Sequence, residues 1–439
     1  MAGSTAGAEL GHEESAPAKT LAEIFFLTAM PRRLLFVGHD ASRSGAVIFL
    51  LHFLRWLKRR HPEVSFSVLL RRGGSLAGEF SALAPTFVLK GIFDPHSLPG
   101  RAAKHSLAAQ RLIARARRLR LRLFFGGGLM PDVIYSNTAT NGWAVDDLAA
   151  IRGMKRPRVI THLHEMEFTI RHHTDPGSFA KVEEQTDMYI AASEAVRRDV
   201  LKHHTIPESK VAVIHEFVPA HKAPVADAGS LRAQFREQHR IPPSAFVVAG
   251  CGTVGWRKGT DLLVPLLIAL RKRLPDAPVC FLWIGCDASD PNVIRLRYDS
   301  EQAGVAEHLR LIDVQADLSA GYAAADVFAL LSREDPFPLV CLEAAAAGKP
   351  IVCFADAGGM PEFVESDSGI VVPFLDLAAM AEALAHLYED PSERDRFGAR
   401  ALEKVRERHD LESNAPRLWS LVAGEMQLVC PSSQQTAQA

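Results

Sequence analysis

Residues 245–274 read AFVVAGCGTVGWRKGTDLLVPLLIALRKRL. A short apolar run (245–249) ends at Gly250, Gly252 and Gly255, and a helical pattern takes over after Asp261. Strand, glycine turn and helix make one unit of a parallel α/β sheet. The glycines match GxGxxG literally, and a dinucleotide-binding fold would begin its helix at the third of them. Here Trp256-Arg257-Lys258-Gly259-Thr260-Asp261 intervenes. The expected N-cap is Thr260, with Asp261 in the first turn. The loop therefore presents Arg257 and Lys258 just before a helix N-terminus. A guanidinium, an ammonium and free backbone N–H groups together suit a pyrophosphate. A solvated Arg-Lys pair in a turn is the plainer alternative.

The same alternation extends in both directions. Apolar runs lie at 33–38, 65–70, 86–89, 132–136, 158–163, 188–192 and 210–217, then at 245–249, 279–284, 309–314, 327–331, 350–354 and 369–373. Near-continuous apolar runs separated by helix-length segments indicate parallel strands buried on both faces. The Pro- and Ala-rich segment 218–229 interrupts the pattern and is read as a boundary. The expected fold class is α/β, with two Rossmann-like, doubly wound domains facing across a cleft. The expected division is a tail (1–30), a first domain (31–217), a second domain (218–412), a helix packing back on the first domain (413–430) and a tail (431–439). Ligands of such sheets bind beyond the carboxyl ends of the strands.

Global properties narrow the class. The chain has 439 residues, 48% hydrophobic and 23% charged, a globular composition. The net charge of −1 hides a split: residues 1–220 carry 29 basic and 21 acidic side chains, the remainder 21 and 30. The six cysteines form no CxxC pair, which fits a reducing compartment. The longest apolar stretch, 46–57, is interrupted by His52 and Arg55 and is too short for a bilayer. The N-terminus lacks the pattern of a secretory signal. The expected location is cytoplasmic, with peripheral contact at the inner membrane face left open.

A second stretch carries the chemistry: Ser332-Arg-Glu-Asp335-Pro-Phe337-Pro-Leu339-Val-Cys-Leu-Glu343, followed by an alanine-rich helix that stops at Gly348 and Pro350. Two acids beyond a strand end can bind vicinal sugar hydroxyls. The alternative for Glu343 is that it complements a helix N-terminus. These residues resemble the GT-B retaining glycosyltransferases of family 4 (glycosyl transferases group 1). The family's E-x7-E is present as D-x7-E, Asp335 to Glu343. Arg257-Lys258-Gly259 is similar to its phosphate loop, and Asp356-Ala-Gly-Gly-Met-Pro-Glu362 to its later glycine turn. In the first half, Ser44-Gly45-Ala46 resembles its N-terminal glycine loop, His164-Glu165 its donor-facing histidine, and Ser193-Glu194 its strand-to-helix turn. The resemblance spans about residues 33–415.

It implies a metal-independent, retaining hexosyltransferase that uses a nucleotide-sugar, UDP- or GDP-linked, as substrate, with no cofactor. Glu343 would bind the ribose. Asp335 would bind the donor sugar, helped by the amides of Phe337 and Leu339. Arg257 and Lys258 would take the leaving diphosphate, His164 a sugar hydroxyl, and Gly45 would let backbone approach the phosphates. Glu334, beside Asp335, competes for the sugar-binding role. Pro336 and Pro338 each remove an N–H donor from the loop. No metal set is expected; His162 and His164 share a strand face but lack a third ligand.

The implied acceptor is a glycan or lipid-linked sugar, in cell-surface polysaccharide or glycolipid synthesis. Residues 101–122 hold eight Arg or Lys and no acid, and Leu107, Ile113, Leu119, Leu121 and Leu123 supply an imperfect apolar stripe. Such a helix can lie on an anionic membrane, or it can turn its leucines inward. Without interleaved aromatics it is not read as a nucleic-acid site. The competing functions are an NAD(P)-dependent oxidoreductase and a non-catalytic sugar-nucleotide-binding module.

Overall fold

The computed structural model describes residues 33–89, 106–125, 131–151, 156–175, 177–220 and 228–428. The expected tails 1–30 and 431–439, and residues 101–105 of the basic stretch, lie outside these.

Among the described residues, thirteen strands form two sheets. The first holds β1 (Leu34–Gly38), β2 (Phe66–Leu70), β3 (Thr86–Val88), β4 (Val133–Ser136), β5 (Arg158–Leu163), β6 (Met188–Ala191) and β7 (Val211–Val213). The second holds β8 (Phe246–Cys251), β9 (Val279–Cys286), β10 (Leu309–Asp313), β11 (Val327–Leu330), β12 (Ile351–Phe354) and β13 (Gly369–Val372). Their orders are β3-β2-β1-β4-β5-β6-β7 and β10-β9-β8-β11-β12-β13, with every pairing parallel. Each apolar run read from the sequence coincides with one strand, although β8 and β9 extend two residues beyond their runs. The reason is burial: β1, β11 and β12, for example, are buried at every position, so nothing polar punctuates them.

Both sheets change direction of strand order in the middle, between β1 and β4 and between β8 and β11. A crevice opens at each switch point, beyond the strand ends. The loops after β8 and β11 thereby become neighbours, bringing Arg257 to Glu334, 77 residues away in sequence.

The last helix, Leu411–Leu428, returns to the first sheet's side. It packs against the Gly45–Arg60 helix and β4 and β5. Glu425 pairs with Arg158 and Glu412 with Arg60 across this junction. The chain crosses between sheets twice, and the crossings are stitched together: Val218 N–H donates to His409 O (3.0 Å), and Leu411 N–H to Val218 O (3.0 Å).

Candidate functional site

In the second domain, the glycine loop after β8 does not run straight into a helix. It forms two short 3-10 turns, Trp256–Lys258 and Thr260–Leu262, before the Leu263–Arg273 helix. Thr260 is therefore not the helix N-cap. Its hydroxyl instead accepts the Gly255 N–H at 3.0 Å and ties the loop to itself. The extra turns push Arg257 and Lys258 toward the loop that follows β11.

There Lys258 Nζ meets Asp335 Oδ2 at 2.5 Å, and the Ser332 hydroxyl donates to the same oxygen at 2.8 Å. The Arg257 guanidinium donates to the Glu334 carbonyl at 2.9 Å. Burial alone would raise the Asp335 pKa; the Lys258 and Arg257 charges and the two hydrogen bonds outweigh it and hold the carboxyl below its ordinary value. The turn after β12 locks this loop from behind. Asp335 N–H donates to Ala357 O at 2.7 Å. Gly358 sits at φ +138°, where a Cβ would lie 1.8 Å from the Asp335 carbonyl.

Glu343 does not open its helix. The Leu339–Ala346 helix has no acid in its first turn, and Glu343 is its fifth residue. The helix-complement alternative thus falls away. The Glu343 carboxylate accepts from the Tyr322 hydroxyl at 2.9 Å and lines the cleft. Phe337 is buried and stacks on His409. No other backbone group among the described residues takes the amides of Phe337 or Leu339.

In the first domain, Gly45 begins the Gly45–Arg60 helix, whose first turn holds no acid. A Cβ at Gly45 would touch nothing within 4 Å, so the helix N-terminus is open to the cleft. The buried Ser44 hydroxyl beside it has no partner among the described residues.

His164, just past β5, is clamped. Nδ1 lies 2.5 Å from Glu216 Oε1, and Nε2 lies 3.2 Å from Asn137 Oδ1. His162 has a different environment: its Nδ1 meets the Tyr135 hydroxyl at 2.6 Å, and full burial pushes its pKa well below the ordinary value. Glu165 caps the turn after β4, accepting the Ala139 N–H at 2.9 Å.

Glu334, the rival for the sugar-binding role, is committed elsewhere. Its carboxylate accepts the N–H of Phe168 (3.0 Å) and of Thr169 (3.2 Å), together with the Thr169 hydroxyl, at the start of the Glu167–His173 helix in the first domain. Glu362 does the same for the Glu194–His203 helix, accepting from Glu194 N–H (3.0 Å) and Ala195 N–H (2.7 Å). The Ser193 hydroxyl donates to Pro336 O at 2.9 Å. These three contacts clasp the domains together.

The cleft so formed has a volume of about 1430 Å³ and brings together Gly45, His164, Arg257, Lys258, Asp335 and Glu343. Sequence reading missed Glu216, Asn137 and Tyr322. Each lies just past a strand or in a short helix, with no local pattern to mark it. Among the described residues, no group of three or more His, Cys, Asp or Glu could hold a metal ion. The basic stretch forms a helix at Leu107–Phe124, but its leucines do not share a face. Leu121 is buried, whereas Leu112, Leu119 and Leu123 are 68%, 59% and 72% exposed. No described helix is long and apolar enough to cross a membrane.

Known proteins share both the fold and the sequence pattern. The chain is 29% identical over 285 residues to the D-inositol 3-phosphate glycosyltransferase of Corynebacterium urealyticum, spanning 61% of this chain and 65% of that relative. With the enzyme of the same name from Corynebacterium efficiens it shares 28% identity over 83% of this chain and 86% of the relative. Among solved structures, Anabaena HepE in complex with UDP-glucose superposes with a TM-score of 0.71 at 19% identity, covering 89% of this chain and 99% of that one. The profile of Glycosyltransferase Family 4 matches residues 43–222, and that of Glycosyl transferases group 1 matches residues 232–404. With both domains matched in order and two parallel sheets facing across one cleft, the chain belongs to the GT-B glycosyltransferases of the group 1 and family 4 type.

Proposed function

We propose that this protein is a retaining glycosyltransferase that moves a hexose from a UDP- or GDP-sugar to a glycan or lipid-linked acceptor in cell-surface polysaccharide or glycolipid synthesis. The observation that carries it is the meeting of Arg257, Lys258 and Asp335 opposite the open N-terminus of the Gly45–Arg60 helix. When the anomeric C–O bond breaks, its electron pair leaves with the nucleoside diphosphate. Two side-chain cations and a helix N-terminus stabilise that developing charge. The protein supplies this charge itself, and the proposed transfer is metal-independent. Retention places the acceptor oxygen on the face the diphosphate leaves, so the departing phosphate oxygen can take the acceptor's proton.

In this reading Asp335 exchanges part of its contact with Lys258 for the donor sugar's hydroxyls as the diphosphate engages Lys258. Glu343 binds the ribose hydroxyls, steadied by Tyr322. The amides of Phe337 and Leu339 face the donor. HepE, solved with UDP-glucose, supports a nucleotide-sugar as the ligand class.

The lipid-linked acceptor is supported by the Leu107–Phe124 helix. Its outward face carries Leu112, Leu119 and Leu123 flanked by the exposed Arg111, Arg115 and Arg122. The arginines of the other face are engaged: Arg117 and Arg118 with Asp147, and Arg120 over Phe87. Apolar side chains edged by cations match an anionic bilayer surface.

A thermal-shift panel of UDP-, GDP- and ADP-sugars beside NAD and NADP tests the donor class, because a ligand of the native state raises the midpoint by mass action. One nucleotide-sugar is expected to raise it in the presence of EDTA. Stabilisation by NAD(P) alone would refute the proposal. Binding without hydrolysis or transfer would leave only the sugar-nucleotide-binding module.

A further inference from the structure

Both ring nitrogens of His164 face oxygen acceptors. Glu216 Oε1 stands 2.5 Å from Nδ1 and Asn137 Oδ1 stands 3.2 Å from Nε2. The Asn137 amide cannot turn its nitrogen to the ring without losing a partner, because Asn137 Nδ2 donates to the Ala46 carbonyl at 2.7 Å. A neutral imidazole has one donor nitrogen and one acceptor nitrogen, and satisfies both contacts only if Glu216 itself carries the proton, a form that burial of Glu216 favours. With Glu216 ionised, only the imidazolium satisfies both.

We infer that Glu216 is a positioning residue that holds His164 as a doubly donating imidazolium at the donor end of the cleft. Glu216 follows β7 and His164 follows β5, so the contact reaches across β6. The aromatic ring of Phe49, 5.4 Å from the His164 ring, walls the pair on the Gly45–Arg60 helix side. Other titratable groups around the pair are Glu165 next in the chain, His162 with its ring 4.0 Å away, and Asp335 with its partner Lys258 across the cleft. Burial alone would lower the His164 pKa; the charge and hydrogen bond of Glu216, with Glu165 behind, outweigh it and raise it.

The consequence for binding is specific, and it rests on the glycosyltransferase reading. An imidazolium can only donate, so His164 meets a hydroxyl or phosphate oxygen through its lone pair and never accepts a sugar O–H. The Nε2–H, in the longer of the two contacts, is the one a ligand oxygen can take over from Asn137. The first domain then adds a third cation to Arg257 and Lys258.

The charge state is tested without any donor, by ring-nitrogen NMR of histidine-labelled protein, with H164Q identifying the resonance. Expected is a His164 ring that stays doubly protonated above the ordinary histidine range and, in E216Q, loses that proton at lower pH. A neutral wild-type ring at pH 6, or equal titration in both proteins, would overturn the inference. A second measurement guards against a merely destabilised E216Q. In the H164Q background, adding E216Q is expected to leave the UDP-induced midpoint shift unchanged, because Glu216 acts through His164. A further loss would overturn the positioning role. If UDP binds no variant, including wild type, the donor reading fails while the NMR result stands.

Discussion

The two domains repeat one topology but present different charged groups to the cleft. In the second domain, whose half of the chain is net acidic, the crevice presents Arg257 and Lys258. In the first, whose half is net basic, the crevice is lined by Glu165 and Glu216 around His164. The basic excess of that half sits instead on the Leu107–Phe124 helix, on the outer surface beside β3. Domain net charge therefore says little about what a cleft binds. At contact distance, groups a few ångströms away outweigh a dispersed charge that solvent screens within about 10 Å.

The comparison can be broken most severely at Lys258. Lys258→Met is expected to abolish the donor-induced midpoint shift. It should also destabilise the free protein by roughly 3–5 kcal/mol, because it strands a buried carboxylate. Adding Asp335→Asn should restore much of the free midpoint and none of the donor shift. Recovery of donor binding in the double variant would remove Lys258 from the diphosphate site. Glu343→Ala comes next: donor affinity is expected to fall on the order of 10- to 100-fold, as for loss of a charge-assisted hydrogen bond of about 1.5–3 kcal/mol. Isothermal titration with the stabilising nucleotide-sugar reads it, and an unchanged affinity would take the ribose away from Glu343.

The clasp between the domains offers a milder test. Glu334→Ala leaves the start of the Glu167–His173 helix uncapped and removes one of the inter-domain ties. Small-angle scattering should show a larger radius of gyration, with donor affinity reduced only a few-fold. If Glu334 bound the sugar, donor affinity would instead fall as far as in Glu343→Ala. The smallest effect on the cleft is expected from Arg111, Arg115 and Arg122 changed together to Glu. Donor affinity should be unchanged while recovery with anionic vesicles in flotation falls to that with neutral ones. Equal recovery of the wild type on both vesicle types would leave the helix without a membrane role.

Much of the second-domain site was legible because its residues are clustered in the chain. Arg257 and Lys258 are adjacent, and Asp335 and Glu343 share one loop and helix. The start of the Leu263–Arg273 helix was misplaced at Thr260 because a threonine before a leucine run looks like a cap, whereas here its hydroxyl closes the Gly255 turn. The stripe on the basic helix was drawn from leucines that lie on opposite sides. Only the buried Leu121 and the exposed Leu112, Leu119 and Leu123 divide the inner face from the outer.

The sequence by itself determined the strands, their parallel arrangement and the identity of the charged groups that approach a phosphate. Strands buried on both faces must be continuous apolar runs, and a cation needs no distant partner to be a cation. Tertiary structure alone decided which carboxylate does what. Asp335 turns to Lys258, Glu334 crosses the cleft to cap a helix, and Glu216, 52 residues from His164, becomes its neighbour. Those assignments depend on strand order and domain closure, which bring together residues whose local sequence carries no trace of one another.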